Sequence, residues 1–132
     1  MAERLVVDAS AMVDLLVSSP LAGAVRERLG GHDLHAPAHF DAEVLSALGR
    51  LHRAGHLSAR QATVRVDRLG MAPVDRHLLS GLVAGAWRLR HRVRLVDALY
   101  VELADQLGAS IITTDGGMAA ATPAAELLSA DS

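Results

Sequence analysis

Four acidic residues stand at places in the sequence where an ordinary surface carboxylate is not expected. Asp8 follows the apolar run "LVV", and Asp115 follows the β-branched run "SIITT". Asp97 lies on the apolar side of a segment with helical periodicity, and Glu43 borders the apolar arc of another such segment. Two carboxylates about 4 Å apart repel each other by about 4 kcal/mol at an effective dielectric constant of about 20. Three or four that converge would therefore need a cation.

An all-carboxylate site would favour Mg²⁺ or Mn²⁺, since both ions take oxygen ligands and Mg²⁺ keeps several of its waters. Such an ion can lower the pKa of a bound water and stabilise charge on a phosphate. The chain has no cysteine, which excludes thiolate ligands and disulfides. Its seven histidines form no metal-ligand motif such as HExxH, and we interpret them as mostly surface or helix-end residues.

Each acid alone also has a structural interpretation. Asp8 and Asp115 could be helix N-caps, worth about 1 kcal/mol each. Asp97 could favour its helix dipole, and Glu43 could merely border the core. We interpret Asp41 as dipole-favourable surface, and we place three further acids on solvated faces: Asp14, Asp67 and Asp105. The evidence for a site is therefore the set of four acids and not any single one.

Alternating strands and helices must position these acids. We predict strands at Leu5–Asp8, Asp33–Pro37, Met71–Val74, "SIITT" and, at an edge, "AAELL". We predict helices from Ser10, as N-cap, to Val17; from Pro20 to Gly30; over Ala38–Ala54; from the capping box at Ser58 to Leu69; from Asp75, as N-cap, to the basic run Arg88–Arg94; over Val96–Leu107; and briefly after Asp115. This alternation predicts an α/β fold with a parallel sheet between helices.

In such a sheet, ligands bind outside the carboxyl ends of the strands. Asp8 and Asp115 both fall at such ends and therefore lie on one rim. Whether they are neighbours depends on the strand order, which the sequence alone leaves open.

Composition narrows the possible classes of protein. The 132 residues are 51% hydrophobic and 21% charged, which indicates one globular domain and excludes a disordered protein. There is no apolar run long enough for a membrane span and no signal peptide, so we expect a cytoplasmic protein without membrane contact. The net charge of −2 argues against indiscriminate nucleic-acid binding.

Two other α/β classes fit the sequence poorly. Receiver or phosphatase-like domains rely on a lysine near the phosphoryl group, whereas all 13 basic residues here are arginine. The first strand also leads into "DAS" and not into paired acids. Nucleotide-binding folds are disfavoured because neither GxGxxG nor GxxxxGK occurs.

The motifs "VVDAS", "DAEVLSAL" and "LVDALYVELADQLGASIITTD", in this order, closely resemble those of PIN-domain ribonucleases, specifically the VapC-type toxins of bacterial toxin–antitoxin pairs. The resemblance covers nearly the whole chain, and "VDALYVELADQLGASIITTD" is its most specific part. It implies a PIN-like three-layer sandwich over residues 1–132, with a mainly parallel sheet of about four to five strands flanked by helices.

The resemblance also implies a function and its residues. The acidic site for Mg²⁺ or Mn²⁺ would comprise Asp8, Glu43, Asp97 and Asp115, with the hydroxyls of Ser10 and Thr114 beside it. It implies cleavage of phosphodiester bonds in RNA, a homodimer, and inhibition by a cognate antitoxin. Asp41 is a departure, because an apolar residue is common two positions before the acid of that helix.

These implications give a mechanistic hypothesis of metal-assisted hydrolysis. Asp8, Asp97 and Asp115 would hold the ion, and Glu43 would bind or orient the attacking water. A cluster of arginines could steer the RNA backbone or could simply be a solvated helix end: Arg88, Arg90, Arg92 and Arg94. Aromatic residues make up only 2% of the chain, so we expect recognition of RNA shape and backbone more than base stacking. The alternative is a catalytically inactive PIN-like module that acts through protein or RNA partners.

Overall fold

The structure is a computed structural model that describes residues 2–130. The strands in this part are β1 (Arg4–Val7), β2 (Asp33–Pro37), β3 (Val74–His77), β4 (Ser110–Thr113) and β5 (Ala125–Leu127). The helices are α1 (Ala9–Leu16), α2 (Ala22–Leu29), α3 (Phe40–Arg53), α4 (Ala59–Met71), α5 (Val83–Arg88), α6 (Leu95–Leu107) and α7 (Gly116–Ala121), with a 3₁₀ turn at Leu79–Gly81.

All five strands form one parallel sheet in the order β3-β2-β1-β4-β5. The chain leaves β1 toward β2 on one side, whereas β4 leads to β5 on the other. The order therefore reverses between β1 and β4, and ligands of open α/β sheets bind at such a switch point. The prediction of a parallel α/β sheet of about four to five strands is confirmed.

Right-handed crossovers place the helices in two layers. The connections from β1 through β2 to β3 carry α1–α4 over one face of the sheet. The return from β3 to β4 carries α5 and α6 over the other face, where α6 packs on β1, β2 and β4. The three-layer arrangement follows from this topology.

The two central strands are apolar because both of their faces are covered. Leu5, Val6 and Val7 of β1 are fully buried, as are Ile111 and Ile112 of β4. This packing anchors the backbone that leads directly into the two acids at the strand ends.

The first helix begins earlier than predicted. Its N-cap is Asp8 and not Ser10, and the Asp8 side chain makes no capping hydrogen bond. The extended Asp8 backbone provides the N-cap conformation, while its carboxylate accepts hydrogen bonds from side chains instead.

The segment after the fourth helix differs more. Met71 still belongs to α4, and the strand covers Val74–His77, so Asp75 lies within β3 and is not a helix cap. The predicted long helix to Arg94 is instead a 3₁₀ turn followed by α5, which ends at Arg88. Pairing with β2 decides this outcome, because residues 74–77 complete the edge of the sheet.

None of the helices in residues 2–130 is long and apolar enough to cross a membrane.

Candidate active site

Asp8 and Asp115 lie at the same carboxyl edge of the sheet and line the same cleft. Val7 is in register with Ile112, so β1 and β4 end next to each other and each leads into an acid. Asp115 caps α7, where its Oδ1 accepts a hydrogen bond from the Gly117 amide at 3.1 Å. The interpretation of Asp115 as an N-cap is therefore confirmed. Asp115 also lines the cleft described below.

The Asp8 carboxylate is buried, with 7% of the residue exposed. The Ser10 hydroxyl donates to Oδ2 at 2.8 Å, and the Thr113 hydroxyl donates to the same oxygen at 2.7 Å. Burial raises the pKa of Asp8 even though these two hydrogen bonds oppose the shift, and the charge of Asp97 adds to it. Asp8 is thus a desolvated carboxylate held by neutral donors, which a cation would stabilise.

Glu43 lies in the first turn of α3 and leans against α6. The Tyr100 hydroxyl donates to its Oε1 at 2.7 Å, and His39 Nε2 lies 3.4 Å from the same oxygen. Burial raises the pKa of Glu43, helped by the charges of Asp8 and Asp97, although the hydrogen bond from Tyr100 works against it. Burial is also the main cause of the raised pKa of Tyr100, so this hydroxyl keeps its proton and remains a donor.

Asp97 lies in the first turn of α6, one turn before Tyr100, and only 15% of its side chain is exposed. Its Oδ2 accepts a hydrogen bond from Arg94 Nε at 3.1 Å. Arg94 is itself 80% exposed, so this guanidinium covers Asp97 from the solvent side. A surface-exposed partner of this kind contributes little to stability and is free to move.

All four acids line one cleft of about 370 Å³. Ser10, Asp14, Arg50 and Arg94 also line it. Five carboxylates therefore share a cleft with two guanidinium groups, and the excess negative charge is the main electrostatic feature of this surface.

The two threonines at the end of β4 have different roles. Thr113 is fully buried and reaches Asp8, whereas the Thr114 hydroxyl donates to Asp14 Oδ2 at 2.6 Å. The Thr114 amide also donates to Ser10 Oγ at 3.1 Å. Thr114 thus positions Asp14 and Ser10, whereas the hydroxyl that contacts Asp8 directly is that of Thr113.

Of the four arginines in the basic run, Arg94 lines the acidic cleft. Arg90 stacks over the Trp87 ring at 4.8 Å and donates to the Trp87 carbonyl. Arg92 lines a separate cleft with Glu102 and Asp105, and Arg88 is an exposed residue at the end of α5.

Sequence reasoning missed several cleft residues, and some had a usable signal. Arg50 stands two turns after Glu43 on α3, and Asp14 stands one turn after Ser10 on α1, so helical spacing alone could have placed both. Thr113 lies two residues before Asp115, on the same side of an extended segment. No local signal indicates that Tyr100 reaches Glu43, because 57 residues separate them.

The donor set fits a hard divalent cation. The four acids offer only oxygen ligands, and Asp8 has no guanidinium partner to offset its burial. Among residues 2–130, three side chains have ligand atoms that all lie within 4.8 Å of one another: Asp33, His35 and Asp75. The four acids of the cleft do not meet this criterion. The open spacing of the cleft suits Mg²⁺ or Mn²⁺, since Mg²⁺ retains several waters and uses few direct carboxylate ligands.

Comparisons with known proteins agree with this fold. The model of the PIN domain family matches residues 5–122. Ribonuclease VapC3 of Mycobacterium tuberculosis is 54% identical over 127 residues, which cover 96% of this chain and 93% of that protein.

Two solved structures share the fold. A toxin–antitoxin complex from Klebsiella pneumoniae has a TM-score of 0.69 at 18% identity, covering 92% of this chain and 95% of the matched one. Mycobacterium tuberculosis VapC20, a sarcin–ricin loop cleaving toxin, has a TM-score of 0.66 at 21% identity, covering 89% and 94%. The chain therefore belongs to the PIN-domain family and is a VapC-type member of it.

Proposed function

We propose that the protein is a divalent-metal-dependent endoribonuclease and the toxin of a toxin–antitoxin pair. The observation that carries this proposal is the convergence of Asp8, Glu43, Asp97 and Asp115 on one cleft at the switch point of the sheet. The curated relatives are ribonucleases of the VapC type, which supports RNA as the substrate. Its RNA substrate also makes the cytoplasm the expected site of action.

In this proposal Asp8, Asp97 and Asp115 hold Mg²⁺ or Mn²⁺. The bound ion supplies a water of lowered pKa and stabilises the charge that develops on the phosphate. Ser10 and Thr113 hold the Asp8 carboxylate in place through its Oδ2. Their hydrogen bonds fix the direction of the ligand before the ion arrives, which reduces the entropy lost on binding.

Glu43 orients the attacking water and accepts its hydrogen bond. Tyr100 fixes one carboxylate oxygen, and the raised pKa of Glu43 brings its proton affinity closer to neutral pH, as proton exchange with water requires.

Arg94 and Arg50 are the cationic groups at the cleft, and we assign them to the RNA backbone. Arg94 is 80% exposed and donates to Asp97, so its guanidinium would be available to an RNA phosphate if Asp97 held an ion. Arg88, Arg90 and Arg92 lie beyond the cleft and would contact the RNA only farther along its backbone.

We further propose a homodimer and a cognate antitoxin. An exposed apolar surface lies beside the cleft and suits a protein contact: Val83, Trp87, Leu95 and Val96 are each at least 45% exposed. A related structure is a toxin–antitoxin complex, which supports the antitoxin. The mass of the purified chain in solution tests the homodimer, and a Trp87→Ser variant that becomes monomeric would locate it on this surface.

The alternative of a catalytically inactive binding module is not favoured. Such a module has no need for four acids in one cleft, two of which have pKa values raised by burial. Retaining them without a cation would only cost stability.

The test is cleavage of total bacterial RNA by the purified chain, with products mapped at their 5′ ends. We expect cutting with Mn²⁺ or Mg²⁺, none with EDTA, and loss of both cutting and Mn²⁺ binding in Asp97→Asn. Asp105→Asn is the matched control, because it makes the same change on the exposed side of the same helix. Expression of the chain without an antitoxin should arrest growth, whereas Asp97→Asn should not.

Metal-independent cutting that survives Asp97→Asn would overturn the proposed mechanism. Equal growth with the wild-type chain and Asp97→Asn would overturn the toxin assignment. Intact RNA with every divalent ion would favour the binding module.

A further inference from the structure

A second cluster of chemically competent side chains lies on the sheet, away from the acidic cleft. Asp33 and His35 alternate with Leu34 along β2, and Asp75 and His77 occupy the same face of β3. Leu34 lines a cleft with residues of α1 and α2, so the cluster is on the opposite face. None of its four residues lines the acidic cleft.

The side chains of this cluster are in mutual contact. His35 Nδ1 lies 2.8 Å from His77 Nε2 and 3.9 Å from Asp75 Oδ2. His35 Nε2 lies 3.0 Å from Asp33 Oδ2. His35 is 7% exposed, whereas the side chain of Asp75 is 74% exposed, so the cluster connects a buried ring to solvent.

The protons of the cluster can be assigned from the partners. The Asp33 carboxylate only accepts, so His35 Nε2 carries a proton and donates it. In neutral His35 the lone pair is then on Nδ1, which faces His77 and Asp75. In the metal-free protein His77 Nε2 donates a proton to that lone pair, and a metal ion bound to both nitrogens would replace this hydrogen bond.

The arrangement matches the way proteins orient a histidine ligand. A carboxylate on one ring nitrogen fixes the tautomer and makes the other nitrogen a better ligand. A tetrahedral Zn²⁺ ion about 2.0–2.1 Å from each ligand nitrogen would hold those nitrogens about 3.3 Å apart. The two nitrogens, which lie 2.8 Å apart, would therefore separate by about half an ångström. His77 would also move its proton to the other ring nitrogen, so no charge has to be buried to open the site.

We propose that this cluster is a second metal site, for Zn²⁺ or a similar late transition-metal ion. His35 Nδ1 and His77 Nε2 are the nitrogen ligands, Asp33 orients His35, and water completes the coordination. Asp75, whose exposed side chain lies 3.9 Å from His35 Nδ1, becomes the third ligand by turning toward the two rings. Imidazole ligands favour Zn²⁺ over Mg²⁺, whereas the all-oxygen cleft has the opposite preference. The protein thus separates two metals by ligand type, and the second ion fastens the edge strand β3 to β2.

The experiment titrates the full chain with Zn²⁺ alone, using competition with a chromophoric zinc indicator, and repeats the titration with Co²⁺ to record its ligand-field absorption. Asp8→Asn is the background for all samples, so that the acidic cleft does not contribute. We expect one equivalent of Zn²⁺ to bind and to raise the melting temperature. Asp33→Asn should weaken binding by about tenfold or more, and His77→Gln should abolish it.

His77→Gln is the decisive variant because the glutamine amide can still donate to His35 Nδ1 but is a poor ligand. A purely hydrogen-bonded network would tolerate this change, and the melting temperature without metal should stay near that of the parent. His56→Gln, which alters an exposed histidine elsewhere, is the matched control and should bind Zn²⁺ as the parent does. Equal binding by the two glutamine variants, or no stoichiometric Zn²⁺ in the background chain, would overturn the proposal.

Discussion

Two acids on the same turn of α3 have opposite surroundings. Asp41 is paired with Arg76, whose Nη2 lies 2.9 Å from Oδ1. Glu43, two residues later, meets a tyrosine hydroxyl and faces two other carboxylates of the cleft. One acid is neutralised by a guanidinium, and the other is kept in a cluster of like charge.

The same contrast extends to the rest of the molecule. Arg76 also donates to the carbonyls of Leu69 and Ala72 at the end of α4. Arg28 forms ion pairs with Glu3 at 3.1 Å and with Glu126 at 2.7 Å. These contacts connect α2 to the residue before β1 and to β5. Carboxylates with a structural role in this protein therefore have partly buried arginine partners.

The cleft carboxylates are held by neutral donors instead. Ser10 and Thr113 hold Asp8, and Tyr100 holds Glu43, so the negative charge is positioned without being cancelled. Asp97 has an arginine partner, but one that is 80% exposed. This difference separates acids that stabilise the fold from acids that are available to a cation, and it places Asp41 among the former.

The largest expected effect comes from Asp8→Asn. RNA cleavage with Mn²⁺ should fall by about 100-fold or more, because even residues that only support a metal ligand change activity by about 10–100-fold. The free energy of unfolding in EDTA at pH 7 should not fall, since the change removes a buried charge. Urea unfolding measures this free energy, and a large decrease would show that Asp8 stabilises the fold, as Asp41 does.

Arg76→Met should have the converse effect. Loss of its charge-assisted hydrogen bonds to Asp41 and to the end of α4 should lower the free energy of unfolding by about 2–3 kcal/mol. Mn²⁺ affinity of the folded protein should be unchanged. Arg68→Met, at an exposed position on α4, is the control, and its free energy of unfolding should stay within about 0.5 kcal/mol of the wild-type value.

Metal binding should stabilise only chains with an intact cleft. Mn²⁺ at ten times its dissociation constant should raise the free energy of unfolding by about 1.4 kcal/mol. Arg76→Met should show the same increment and Asp8→Asn none, as measured by urea unfolding with and without Mn²⁺. An equal increment in Asp8→Asn would show that Mn²⁺ binds outside the cleft.

The smallest effect is the pH dependence of the metal-free protein. Burial raises the pKa values of Asp8 and Glu43 from ordinary values of 3.8 and 4.5, so the folded state binds more protons than the unfolded state above those values. Their contribution to stability is therefore complete below about pH 4 and is lost as pH rises through the raised pKa values. The free energy of unfolding of the wild type minus that of Asp8→Asn should therefore decline as pH rises through this range. A rise would contradict the burial of Asp8.

The local pattern of the sequence was enough to locate most of the elements that carry the cleft. The runs around Leu5 and Ile111 are apolar because both faces of a central parallel strand are buried, and this pattern predicted β1 and β4. The periodicity of α3 and α6 likewise placed Glu43 and Asp97 near helix starts. These are short-range signals that depend only on each segment's own residues.

The strand predicted at Met71–Val74 exists but covers Val74–His77, and the long helix predicted from Asp75 is wrong for a physical reason. The leucines after Asp75 have helical spacing, but residues 75–77 pair with β2 and extend the sheet. Pairing with a distant strand is not visible in a local window. For the same reason, the contact between His35 and His77, which are 42 residues apart, could not be found by a search for histidine motifs.

The sequence by itself determined the four candidate acids, because an acid after an apolar strand or on an apolar helix face is costly and conspicuous. Only the tertiary structure decided which groups surround each of them. The strand order β3-β2-β1-β4-β5 brought Asp8 and Asp115 to one cleft, and the approach of α6 to α3 brought Tyr100 to Glu43. Strand order and helix packing arise from long-range burial of the whole chain, and they decide which acids meet an arginine and which remain available to a metal ion.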